Sequence, residues 1–416
     1  MRLNRVGILG SVLALAVALG APTVVRSADV QDWRVRMEQL AATLSRVLLD
    51  LSSAARFNAP GNRERVLHDV ETLANLAHDL ERKDKPQADP AMDWLLQSLR
   101  SDAREAQSAL REGHTAYARA ALLNVAEGCI SCHSRNDEGV MFPSLTHVTN
   151  DPTLTPLEHA TLLAATRRFQ DALARYRVVL ARGLGLRETV EWQQTSGTAL
   201  ALAVRSLRSP ELALELTDAI QANPSAPSVM HELATAWRGD LFQWSNEPPV
   251  AGAVDHASTL LDRAESLLER ARVAEQRGPV PGVAWVQLLR SSTLLHDVIN
   301  ATPQDTRMQQ EAFHLLGQAY ELLGVADTRL LHPRYYEACV KVRPATGTAR
   351  ECLVRHVAAL RRAYALQDVE APVVPDPLDA LPQRITLFPD EVQRRILGLW
   401  RLTRQPAPRL PPAPPG

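Results

Sequence analysis

Cys129, Ile130, Ser131, Cys132 and His133 place two thiols and an imidazole within a five-residue run. On a helix, positions i, i+3 and i+4 share one face, so both sulfurs and the ring point the same way. Cys-x-x-Cys-His is the attachment pattern of a c-type haem, with thioether bonds from the two sulfurs and the imidazole on the iron. A thioredoxin-like redox pair would sit in a βαβ setting, and half of a zinc site would need a second pair of ligands nearby. The surrounding sequence offers neither. The expectation is one haem c, held covalently by Cys129 and Cys132, with His133 as proximal iron ligand.

Four helical patterns between Asp32 and Arg135 must position that motif. Trp33, Met37, Leu40, Leu44, Val47 and Leu51 recur at spacings of three and four, which makes one apolar stripe. Val66, Val70, Leu73, Ala77 and Leu80 make a second. Asp89 caps a third, with Pro90 at its first position, and Gly113 ends it. The fourth runs from about Tyr117 to Cys132. Four amphipathic helices with short loops predict an up-down-up-down bundle.

In such a bundle the first and last helices are antiparallel neighbours, so the start of one faces the end of the other. Met37 lies on the apolar stripe near the start of the first helix and is the expected distal iron ligand. Met92, which opens the parallel third helix at the same end, is its strongest rival. His114, Met141 and His147 are further candidates, and so is a five-coordinate iron with an open distal face. Arg36 and Arg135 flank the two expected ligands as candidate propionate partners.

Residues 30–138 resemble the cytochrome c-prime superfamily, including its six-coordinate members. The likeness rests on the haem motif in Gly128-Cys129-Ile130-Ser131-Cys132-His133, which ends the fourth helix. It rests also on Met37, within Trp33-Arg34-Val35-Arg36-Met37, and on the loop Lys83-Asp84-Lys85-Pro86 before Asp89-Pro90. The resemblance implies a low-spin haem with Met37 as sixth ligand.

From Asn136 to Thr155 the periodicity breaks in a run of Asn, Asp, Gly, Pro and Thr. Nine helical patterns follow as far as Leu366, the first running unbroken from Pro156 to Arg182. Within Phe313-His314-Leu315-Leu316-Gly317-Gln318-Ala319-Tyr320 lies the aromatic-x-x-Leu-Gly-x-x-Tyr core of a tetratricopeptide (TPR) repeat's first helix. There Gly317 permits close helix approach. No fixed period survives, so this half resembles a TPR-like α-solenoid. Cys339 and Cys352 sit on successive helices and are expected to form a disulfide in an oxidising compartment. No catalytic constellation appears among His159, His231, His256, His296, His314, His332 and His356, so an enzyme is not expected.

Arg2 and Arg5, an uncharged apolar stretch from Val6 to Val25, and Ser27-Ala28 read as an export signal cleaved near Ala28. The expected location is the periplasm, with no membrane span left after cleavage and a membrane anchor if the signal stays uncleaved. The 416 residues carry a net charge of -1 and no long basic run, which argues against nucleic acid as a partner. Aromatics make up only 5% while Ala, Leu and Arg dominate, which favours helices over strands. The expected organisation is a signal at 1–28, an all-α four-helix-bundle cytochrome c domain at 29–138 and a linker at 139–155. A TPR-like helical domain at 156–367 and a Pro-rich tail at 368–416 with one short helix follow. The expected function is electron transfer, the repeat domain docking a redox partner protein. A gas-binding or sensory haem protein is the alternative.

Overall fold

The computed structural model describes residues 25–51, 54–79, 89–133, 154–247, 256–278, 280–324, 331–366 and 378–405. Those residues are all-helical and contain no strand. The expected signal at 1–28 lies outside them except for its last four positions. The loop at 83–88, nearly all of the 139–155 linker and the last Pro-rich residues also lie outside. No described helix is long and apolar enough to cross a membrane.

The described residues begin with α1 (Val25–Leu51), the single turn α2 (Ala54–Phe57), α3 (Arg63–Asp79), α4 (Pro90–Glu112) and α5 (Thr115–His133). Their stripes meet in one core built on Leu44, Val47, Leu51, Val70, Leu73, Ala103, Leu122 and Val125. Polar contacts fix the register. Arg36 donates to the Asp79 carbonyl at 2.6 Å, Arg46 to Asp69 at 2.8 Å, and Arg65 binds Asp50 through two bonds of 2.6 and 2.8 Å. Each step forward along α1 is matched by an equal step back along α3, so the two are antiparallel. Asp50 and Asp69 are buried, and each is matched by a half-exposed arginine.

The ends of α4 follow its sequence signals. The Asp89 side chain accepts from the Ala91 amide at 2.9 Å, Pro90 takes the first helical position, and Gly113 adopts φ 84° to close the last turn.

The second half contains α6 (Pro156–Ala165), α7 (Phe169–Arg182), α8 (Thr189–Ala201), α9 (Pro210–Gln221), α10 (Ser228–Ser245) and α11 (His256–Arg277). It continues with α12 (Trp285–Ala301), α13 (Thr306–Leu323), α14 (His332–Val342), α15 (Gly347–Ala363), α16 (Leu381–Arg384) and α17 (Asp390–Thr403). From α11 to α15, each helix packs against its successor in the chain. Trp237 on α10 stacks on Trp285 with centroids 5.5 Å apart and donates its indole N–H to the Gly282 carbonyl at 2.7 Å.

The single helix expected over Pro156–Arg182 is two helices. The Thr166 hydroxyl donates back to the carbonyls of Leu162 and Leu163, and Arg167 takes φ 63°. The chain therefore reverses without Gly or Pro, and α6 and α7 fold onto each other. The tail holds more structure than one short helix. Leu378, Leu381, Ile385 and Phe388 are buried beside Ile396 and Leu399 of α17, and all six belong to the second core.

Candidate functional site

Cys129 lies in the last turns of α5, buried on the first core, and Ile130 packs beside it. The helix continues unbroken through Cys132 to His133. The side chains of Cys132 and His133 lie outside the described residues. The continuous helical backbone puts positions 129, 132 and 133 on one face, as the attachment chemistry requires.

The level of Met37 relative to this motif follows from one contact at the far end. Arg119 of α5 donates to the Leu51 carbonyl that ends α1, at 3.0 and 2.8 Å. Position 133 is fourteen residues beyond 119 along α5, and position 37 is fourteen residues before 51 along α1. Both helices rise about 1.5 Å per residue, so antiparallel packing brings the two positions to one level, within the reach of an arginine side chain. Met37 is partly buried and packs on the first core. Met92 packs on the second core instead. His114 is largely exposed near Glu112, at the opposite end of these helices. Met141, His147 and Arg135 lie outside the described residues. Arg36 is engaged with α3 at the Asp79 carbonyl.

The backbone thus brings positions 129, 132 and 133 to one helical face and position 37 to their level, and Cys, Cys, His and Met are residue types that could hold a covalently attached haem. Among the described residues, no three His, Cys, Asp or Glu side chains come together as a metal site.

The second half covers this same end. Leu162 and Ala165 of α6 are buried in the first core, while Ala91 and Leu95 of α4 are buried in the second. Ile130 packs against both. The Trp94 ring lies under the Arg334 guanidinium, 3.6 Å from its centroid. Asp89 accepts from the Tyr335 hydroxyl at 3.4 Å, and His296 Nδ1 lies 3.4 Å from the same carboxylate oxygen. Tyr335 stacks on Tyr320 at 5.3 Å, and Arg205 lies over Tyr320 at 5.0 Å. A seam of buried aromatic and charged groups therefore ties the start of α4 to α12, α13 and α14. None of it is visible in the sequence, because every partner comes from a distant segment. Only Trp94 hints at a second contact face, because it falls off the stripe that Met92, Leu95 and Leu99 share.

Burial dominates the ionisable groups of this region. It lowers the Arg334 pKa to about 10, helped by Arg395 and opposed by Glu337. Burial acts against the Glu337 carboxylate too, yet hydrogen bonds from Arg395 and Lys341 outweigh it and bring its pKa down to about 2. His356, wholly buried, is pushed down to about 4.

Cys339 and Cys352 form a disulfide between α14 and α15, with Cα atoms 6.2 Å apart. Gly317 faces α14 so closely that a Cβ there would collide with the Tyr336 ring. Tyr320, the last residue of the same repeat-like run, is almost fully buried.

Comparison with protein-family models, characterised proteins and solved structures finds no match for this chain.

Proposed function

We propose that this protein is an exported mono-haem c-type cytochrome that transfers electrons. In this reading α1, α3, α4 and α5 form a four-helix bundle of the cytochrome c-prime type. The helices from α6 onward form a TPR-like solenoid that docks a redox partner. The observation that carries the reading is the shared level of positions 37 and 133, with Met37 packed on the same core that holds Cys129. Covalently bound haem supplies a one-electron redox centre. Cys129 and Cys132 would hold it through their sulfurs, and His133 and Met37 would ligate its iron. A thioether there saturates the metal, raises the potential and limits rearrangement on electron transfer. Ile130, Leu162 and Ala165 keep water from this end of the core. The close Gly317–Tyr336 approach supports the TPR-like reading of α13 and α14.

The absorption spectrum tests the ligand set. The haem-loaded protein should be low-spin and slow to take up carbon monoxide, and Met37→Ala should convert it to a high-spin, carbon-monoxide-binding form. A wild-type protein that is high-spin and binds carbon monoxide at once, with no change in Met37→Ala, would refute Met37 ligation and favour the gas-binding alternative.

A further inference from the structure

The chain as a whole is nearly neutral, but its charge is unevenly placed. The described residues from 331 onward hold twelve Lys and Arg against five Asp and Glu. Much of that excess converges where α17 crosses α14. A groove of about 520 Å³ opens there, with Lys341, Arg394 and Arg395 on its walls and Gly398, Leu399 and Leu402 along its floor.

The anionic side of this groove is a single carboxylate. Glu337 receives two bonds from Arg395, lies 2.8 Å from Lys341 and 3.7 Å from Arg334. Three cations therefore share one anion, and exposed Arg394 adds a fourth with no ion pair among the described residues. The local charge is strongly positive around an apolar floor. Such a site attracts an anion, but its volume and its leucines are mismatched to a small, fully hydrated one. An extended peptide that alternates carboxylates with apolar side chains satisfies both surfaces at once.

We propose that the α14–α17 groove docks an acidic, leucine-bearing peptide segment of a partner protein. Its place in the fold gives the occupant a purpose. Arg334, which touches Glu337 on one side, stacks on Trp94 of α4 on the other. The groove thus adjoins the seam at the motif-bearing end of the first core. That purpose rests on the electron-transfer reading, whereas the binding itself does not.

The test uses the full mature protein and a fluorescein-labelled peptide of alternating glutamate and leucine, with a lysine–leucine peptide as control. Fluorescence anisotropy should show saturable binding of the glutamate peptide, with a Kd of about 10 μM at low salt. Binding should weaken about tenfold near 0.2 M salt, because exposed charges are screened. Arg394→Glu reverses a wall charge, and Gly398→Trp fills the floor at a position where a Cβ meets open space. Each should weaken binding about tenfold, whereas R175E/R182E on α7 should leave it unchanged. Equal binding of the lysine peptide, or wild-type affinity in both groove variants, would overturn the proposal. So would co-sedimentation with phosphatidylserine vesicles without peptide binding, which would assign the groove to a lipid surface. Peptide binding by a protein that never acquires haem would keep the groove and remove its redox purpose.

Discussion

Gly317→Ala sets two effects of opposite sign against each other. Gly317 lies inside α13, where helix propensity alone makes alanine better by about 1 kcal/mol. Packing opposes this. An added methyl would meet three atoms of the Tyr336 ring at distances that real Cβ atoms do not adopt. The ring has little freedom to retreat, since it is fully buried and its hydroxyl donates to Glu321 at 2.6 Å. Glu321 is itself held by Arg362. Overpacking of this kind costs about 1–3 kcal/mol, so the gain should be cancelled and the net outcome should be a loss of up to about 2 kcal/mol. Gly239 of α10 provides the control, because a Cβ there meets nothing within 4 Å. Gly239→Ala should therefore stabilise by about 1 kcal/mol. Urea titration followed by far-UV circular dichroism measures both. In a Tyr336→Leu background, Gly317→Ala should lose its penalty. A Gly317→Ala protein as stabilised as Gly239→Ala would show that α13 and α14 do not approach as described.

Asp89→Ala should cost about 1–2 kcal/mol in urea titration through the lost cap, whereas Asp89→Asn, which caps equally well, should cost under half of that; equal losses would mean that the charge, facing His296 and Tyr335, matters more than the cap. His356 stays neutral in the fold while the unfolded chain protonates near its ordinary value of 6.5. Stability should therefore fall as pH drops from about 6.5 towards 4, by up to the order of 3 kcal/mol, and His356→Leu should flatten urea midpoints across that window; an unchanged slope would contradict the assignment. Glu337 titrates lower: its depressed pKa contributes stability above its ordinary 4.5 that is lost as pH falls through about 2. The Cys339–Cys352 bridge closes a loop with a sequence separation of 13, worth about 3 kcal/mol by chain entropy. C339A/C352A should lose about that much, and alkylation of the non-reduced wild type should leave both thiols unlabelled in the mass spectrum; labelling of both would rule the bridge out.

What could be read from the sequence was local. The stripes of α1 and α3, the Asp89 cap and the Gly113 stop all follow from residues within a few turns of each other. The break at Thr166–Arg168 could not be read, because it uses a hydroxyl and a left-handed arginine instead of Gly or Pro. Leu378, Leu381, Ile385 and Phe388 keep a helical spacing, but the prolines around them hid it. The seam at the start of α4 and the end of α5 was beyond reach for a different reason. Ala91, Ile130 and Leu162 are ordinary apolar residues, and only the packing of distant helices reveals that they join two cores. The cationic groove is likewise a product of folding, since its charges come from two helices more than fifty residues apart.

The most direct measurement is made on protein coexpressed with c-type haem maturation proteins and exported from the cell. After denaturation and acid–acetone extraction, haem should remain with the polypeptide, with one equivalent per chain in the haemochrome spectrum. C129S/C132S should release it. A wild-type chain that carries no haem, or one whose haem extracts freely, would contradict the assignment of Cys129, Cys132 and His133.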